Sequence, residues 1–113
     1  MHLVIINRYC ADKKIPFIDG GVSSFEGYVL TVLPGMTPCY NCTFPAATDN
    51  SVEAGILGAT ASIIGSMIAM ETIKILTGIK TGCFLHYIDM MSLSILPITK
   101  NKDPNCPVCA GKE

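Results

Sequence analysis

The longest periodic stretch of the chain runs from Val52 to Thr77, VEAGILGATASIIGSMIAMETIKILT. Ile56, Ile63, Met67, Met70 and Lys74 recur at helical steps, and Gly78 stands where a helix-ending glycine belongs. No charge falls between Ala54 and Met70, and Gly58, Ser62, Gly65, Ser66 and Ala69 are small enough for another backbone to come close. A helix that is apolar all round is packed on more than one side. The spacing therefore predicts one long buried helix, set against another helix or a second subunit. A membrane span is the rival. The uncharged run is at the lower edge of what crosses a bilayer. It also lacks the Leu and Phe density of a span, and Glu71 and Lys74 close it with no aromatic belt. The expectation is a water-soluble helix and no membrane partner.

Strand signals lie on both sides. In KKIPFIDGGVSSFEGYVLTVLPG, the apolar runs 15–18 and 28–33 are bounded by Asp19-Gly20-Gly21 and Pro34-Gly35, which read as turns. YVLTVL has the composition of a largely buried strand. CFLHYIDM and SLSILPIT read as two further short strands joined near Met90. The opening MHLVIINRYC is the start of a strand or a helix. Residues 39 to 51 form a long loop, a kind of segment that is often functional. The tail KNKDPNCPVCAGKE is polar and rich in turn formers. With no repeat and no linker, residues 1–113 read as a single domain of α/β class.

Composition narrows the function classes. Half of the 113 residues are hydrophobic, 15% are charged and the net charge is -1, so the chain expects a core. Seven Lys and one Arg are scattered without a basic stripe, which argues against nucleic acid as a partner. No Trp is present, and aromatic platforms for bases are scarce. The start has neither a basic region nor a small-residue cleavage site, so no signal peptide is expected and the setting is cytoplasmic. In a reducing compartment, paired cysteines bind metal or do redox chemistry more often than they form structural disulfides.

Two such pairs occur. Cys39 and Cys42 sit in TPCYNCTFP, and Cys106 and Cys109 in DPNCPVC. Each has the spacing of a metal knuckle, in which a tight turn points two sulfurs at one centre. Two knuckles give the four-sulfur set that Zn²⁺ prefers. Some sixty residues separate the pairs, so the ion would tie a mid-chain loop to the tail. Closing so long a loop would stabilise by about 4 kcal/mol on the loop-entropy scale. Other readings remain: a rubredoxin-like iron site, a dithiol redox pair or unrelated thiols. CPVC has a proline inside like some redox motifs, yet it lies on a tail and not at a helix start that would lower a thiol pKa. Cys10 and Cys83 lie in apolar runs and read as buried hydrophobes.

The order PCYNCTFP, VEAGILG, IGSMIAMETIKILTG, a YID strand and NCPVC resembles the ThiF/MoeB/HesA family, bacterial relatives of ubiquitin-activating enzymes. IPFIDGGVSSFEGYVLTVLPG is similar to the family segment before its first CxxC. The resemblance covers roughly residues 7 to 111. It implies the C-terminal half of a Rossmann-like activating-enzyme fold, with a mixed sheet of about four strands, one long buried helix and a four-cysteine zinc site at Cys39, Cys42, Cys106 and Cys109. NRYC at 7–10 resembles the end of the helix that follows the family's magnesium-binding Asp. The family's glycine-rich nucleotide loop has no counterpart here. GGVSSFEG has the wrong spacing and lies between strands.

The resemblance implies an activity for a full-length version. With ATP and magnesium, such a protein adenylates the C-terminal Gly-Gly of a ubiquitin-like sulfur carrier for thiamin or molybdopterin biosynthesis, commonly as a homodimer. This chain alone is expected to be inactive and to hold no catalytic residue. Where many relatives carry a crossover-loop Cys just before the EAG segment, this sequence has Ser51, which cannot carry a persulfide and reads as a helix N-cap. The alternative is a non-catalytic, zinc-stabilised module that binds a ubiquitin-like protein. His2, His86, Glu26 and Asp89 read as ordinary strand or terminal residues.

Overall fold

The structure is a computed structural model that describes residues 2–44, 55–79 and 84–109. In chain order its elements are α1 (His2–Lys13), β1 (Phe17–Ser23), β2 (Glu26–Val32), a single-turn α2 (Tyr40–Thr43), α3 (Gly58–Leu76), β3 (Leu85–Asp89) and β4 (Ser94–Ile98). They fall into two compact units. One comprises Met1–Phe17, Val32–Val52 and Lys100–Glu113; the other comprises Ile18–Thr31 and Glu53–Thr99.

The second unit is a four-stranded sheet, in the order β1-β2-β3-β4, with α3 on one face. β2 and β3, and β3 and β4, pair antiparallel, with Gly27 opposite Ile88 and Ile88 opposite Ile95. β1 and β2 are joined by two residues, which only an antiparallel hairpin allows. The sheet is therefore antiparallel rather than mixed: short turns close β1–β2 and β3–β4, and β2 and β3, separated in sequence by α2 and α3, also run antiparallel. Val29, Ile64 and Ile88 form the core, with Ile18, Val22, Met67, Ile68 and Met90 against it. Burying a side chain such as Ile64 contributes about 1.5–3 kcal/mol.

The turn of the first hairpin is at Ser24, in the left-handed region at φ 50°, and not at Asp19-Gly20-Gly21. Those three residues lie inside β1. The glycines serve close packing: a Cβ on Gly20 would come within 2.6 Å of Ile68 Cδ1, and one on Gly21 would enter the ring of Tyr28. With Gly21 bare, the Tyr28 hydroxyl reaches over to donate to Asp19 Oδ2 at 2.6 Å. Burial pushes the Asp19 carboxyl above its ordinary range, opposed by this bond and by the Gly20 N–H.

α3 begins after N-cap Leu57, later than the periodicity suggests, and Ile56 instead bridges to Ser24. Ser51 lies outside the described residues. The capping role expected for it lies outside them too. The other end behaves as anticipated. Gly78, at φ 78°, places the Ile79 N–H on Lys74 O at 2.8 Å and its own N–H on Ile75 O at 3.2 Å, a Schellman closure.

The expectation of a buried helix needs correction. Only Thr60, Ile64 and Glu71 of α3 are buried, while Met70 is 56% and Leu76 80% exposed. The sheet covers one stripe of a helix that is apolar all round, and nothing among the described residues covers the remainder. α3 is also the one described helix long and apolar enough to cross a membrane by length and composition. Its buried charge is compensated: Lys74 Nζ pairs with Glu71 Oε1 at 2.8 Å, and the Thr31 hydroxyl donates to Oε2 at 3.3 Å. A carboxylate without such partners would be costly to bury.

The first unit includes α1, so HLVIINRYC is helical. Asn7, Cys10 and Ala11 are buried at helical spacing on one face. Lys14, at φ 56°, ends the helix: the Ile15 N–H returns to Cys10 O at 2.9 Å, and Pro16 prevents continuation.

Two substitutions of the same kind should have opposite effects. A Cβ on Gly27 meets Gly21 O at 2.6 Å, a backbone atom that cannot rotate away, whereas one on Gly65 meets nothing. Gly27→Ala is expected to destabilise by about 1–3 kcal/mol. Gly65→Ala, on an exposed helical position, is expected to stabilise by up to about 1 kcal/mol. Urea midpoints of the two variants check both signs.

Candidate metal centre

The first cysteine pair is built by a turn that the local sequence forces. β2 ends at Val32, a turn follows over residues 34–37, and Cys39 becomes the N-cap of α2 with φ -86° and ψ 178°. One turn later the Thr43 N–H and hydroxyl both donate to Cys39 O, at 3.1 and 2.9 Å. That turn brings Cys42 round to the side of Cys39. The second pair is built by an Asx turn. Asp103 accepts the Asn105 N–H on its carboxylate at 2.9 Å and the Cys106 N–H on its carbonyl at 3.1 Å. Lys100 Nζ donates to Thr43 O at 2.9 Å and ties tail to loop beside the cysteines.

The four sulfurs converge. Cys39 and Cys42 are 3.7 Å apart, Cys39 and Cys106 3.6 Å, and Cys42 and Cys109 3.3 Å. All four lie within 4.8 Å of one another, every one is buried, and none is in a disulfide. A tetrahedral ion with metal–sulfur bonds near 2.3 Å requires sulfur–sulfur edges of about 3.8 Å. The donor set and its size therefore fit a closed four-thiolate shell.

The sulfurs are not equivalent. Burial alone pushes Cys106 up, but the N–H groups of Cys109 and Val108 and the thiols of Cys42 and Cys39 outweigh it, leaving a pKa of about 6. The Val108 N–H lies 3.5 Å from this sulfur and Asn41 Nδ2 3.8 Å. Cys42 and Cys109 are raised, in both cases first by burial. A cluster packed this closely ionises unevenly without a cation, since neighbouring anions repel.

The remaining candidates lie elsewhere. Cys10 is buried on α1, as its apolar surroundings suggested, while Cys83 lies outside the described residues. His86 is on β3, where with Ser66, Met67, Met70, Glu71 and Lys74 it lines a groove of about 580 Å³ in the second unit. Glu26 accepts the Tyr87 hydroxyl and faces Asp89 in register. Asn7, Asn41 and Lys100, which support the cysteine turns, carried no signal in the sequence. Their roles depend on contacts spanning 33 to 65 residues.

The model of the ThiF family matches residues 2–108. This chain belongs to the ThiF family. Protein HesA of Nostoc sp. is 30% identical over 110 residues, covering 95% of this chain and 44% of that protein. The sulfur carrier protein adenylyltransferase of Thermus thermophilus is 33% identical over 109 residues, covering 86% of this chain and 40% of its own length. The chain thus spans about two fifths of these relatives. Among solved structures, Escherichia coli MccB with ATP superposes at a TM-score of 0.78 with 18% identity, covering 96% of this chain and 36% of MccB. At that identity the likeness speaks for the fold.

A closed thiolate shell has a proton signature. Cys42 and Cys109 are protonated at pH 7 and must ionise to bind. Zinc uptake at pH 7 is expected to release at least two protons, read from binding heats in buffers of different ionisation enthalpy. Affinity should fall as pH is lowered from 7, and more steeply below about 6, where Cys106 also takes up a proton.

Proposed function

We propose that this chain is the zinc-bearing C-terminal part of an enzyme that adenylates the C-terminal Gly-Gly of a ubiquitin-like sulfur carrier, for thiamin or molybdopterin biosynthesis. The observation that carries the reading is the family match over residues 2–108. The relative that is a sulfur carrier protein adenylyltransferase supports the substrate class. A carboxylate is a poor electrophile. Attack of the carrier's terminal carboxylate on the α-phosphate of ATP forms an acyl-adenylate and expels pyrophosphate, after which a sulfur nucleophile displaces AMP.

In this reading Cys39, Cys42, Cys106 and Cys109 hold one Zn²⁺, and its role is structural. Four thiolates leave no position for a water or a substrate, so the ion activates nothing and cross-links the loop to the tail. The ATP and magnesium sites belong to a segment that this sequence does not contain. A glycine-rich loop running into a helix N-terminus is the usual phosphate cradle, and the 113 residues hold no GxGxxG. Ser51 at the crossover-loop position assigns sulfur delivery to another protein or ends the reaction at the adenylate. A homodimer in the cytoplasm, without nucleic acid or membrane contact, completes the proposal.

The test is ATP–pyrophosphate exchange by a full-length version with carriers ending in Gly-Gly. Exchange is expected with the intact carrier and not with one lacking its last glycine. Binding of the carrier without exchange would favour the module that docks a ubiquitin-like protein and does no chemistry. The isolated chain is expected to show no micromolar affinity for Mg-ATP by titration calorimetry. Elemental analysis should find one zinc per chain, and Cys106→Ser should lose it and loosen residues 100–109.

A further inference from the structure

Helix N-termini expose N–H groups that need acceptors, and a Ser, Thr, Asp or Asn at the N-cap position normally provides one. The N-cap of α2 is Cys39, whose side chain makes no capping bond. Its sulfur is turned into the cluster, 3.7 Å from Cys42 and 3.6 Å from Cys106.

The first N–H of the turn finds its acceptor elsewhere in the chain. Asn7, on α1, accepts the Tyr40 N–H on Oδ1 at 3.0 Å, across 33 residues. It is 1% exposed, one of the most deeply buried side chains described. The orientation of its amide follows from this bond, since only the oxygen can accept. Its Nδ2 is buried and has no hydrogen-bond partner among the described residues. An orphaned donor of this kind costs about 1–3 kcal/mol, so a purely apolar residue would pack here at lower cost if packing were the sole requirement. The neutral amide has a further merit beside four sulfurs. It supplies an acceptor without the negative charge that Asp would add next to a thiolate cluster.

We propose that Asn7 is a positioning residue for the metal centre: by accepting the Tyr40 N–H it holds the Cys39–Cys42 turn in the conformation that directs both sulfurs into the cluster. The proposal rests on the metal reading of the four cysteines. Asn7 touches no metal in this scheme and acts through the Cys39–Cys42 turn.

The test uses the full chain loaded with zinc or cobalt, and three variants. Asn7→Leu keeps the branched shape of the side chain and removes the acceptor. Asn7→Asp keeps the acceptor. Cys10→Ala perturbs the same buried face of α1 without touching Tyr40. Metal affinity is measured by competition with a chromophoric chelator, and ligand geometry by the visible d–d absorption of the cobalt form. Asn7→Leu is expected to bind about 10–100-fold more weakly, the usual cost of losing an outer-shell partner, with an altered cobalt spectrum. Asn7→Asp should retain the parent spectrum, and Cys10→Ala both parent spectrum and parent affinity. Parent-like affinity and spectrum in Asn7→Leu would overturn the proposal. So would an Asn7→Asp spectrum as altered as that of Asn7→Leu, or a Cys10→Ala loss as large. Failure of the unmutated chain to bind either metal would overturn the metal reading itself, and the proposal with it; the other outcomes leave that reading intact.

Discussion

Four sulfur atoms within 4.8 Å of one another are the constraint on which the first unit depends. Without a cation the cluster cannot ionise fully, because thiolates at 3.3–3.7 Å repel. As thiols they contribute weak hydrogen bonds and modest apolar burial. The sequence around them is too polar and too short to make a core of its own. Other links join loop and tail, the Lys100–Thr43 bond and the Asn41–Cys106 contact, but each is a single polar interaction. A dication at the centre would turn the repulsion into the strongest interaction in the unit.

The second unit is held differently. Its core is small, with Val29, Ile64 and Ile88 at the centre, and close packing of α3 on the sheet relies on the bare surfaces of Gly20 and Gly27. The helix leaves more apolar surface uncovered than it buries, and β4 does the same, with Ile95, Leu96 and Ile98 all exposed. Large contiguous apolar patches are uncommon on monomeric soluble proteins. The chain spans about two fifths of its curated relatives, and a sheet and helix with so much uncovered apolar surface have the character of part of a larger packed body.

What could be read in advance follows the range of the interactions concerned. The cysteine spacing is a local geometric demand, and the sequence carried it openly; so did Gly78, whose left-handed closure depends on the last turn of one helix. The long helix was recognisable from its period, but its burial was not, because an apolar surface does not say what faces it. Asp19-Gly20-Gly21 was misread as a turn because glycine has two uses, positive φ and close approach, and here side chains 7 to 48 positions away decide between them. Ser24 takes the turn without any glycine signal. Asn7 illustrates the limit: nothing in NRYC hints that its amide meets the backbone of Tyr40.

The order of the ligands along the chain bears on how the protein is made. Cys39 and Cys42 precede α3, β3 and β4, and Cys106 and Cys109 follow them, so the helix and half of the sheet are inserted between the two pairs of one cysteine cluster. A growing chain presents its N-terminal segments first. The first knuckle therefore emerges with two ligands and waits while α3 and the β3–β4 hairpin are completed. Only when Cys109 has cleared the ribosome can the shell close. If the cluster holds a metal, its capture is placed after the second unit has had time to form, and a chain cut short anywhere before Cys106 carries half of the cysteines.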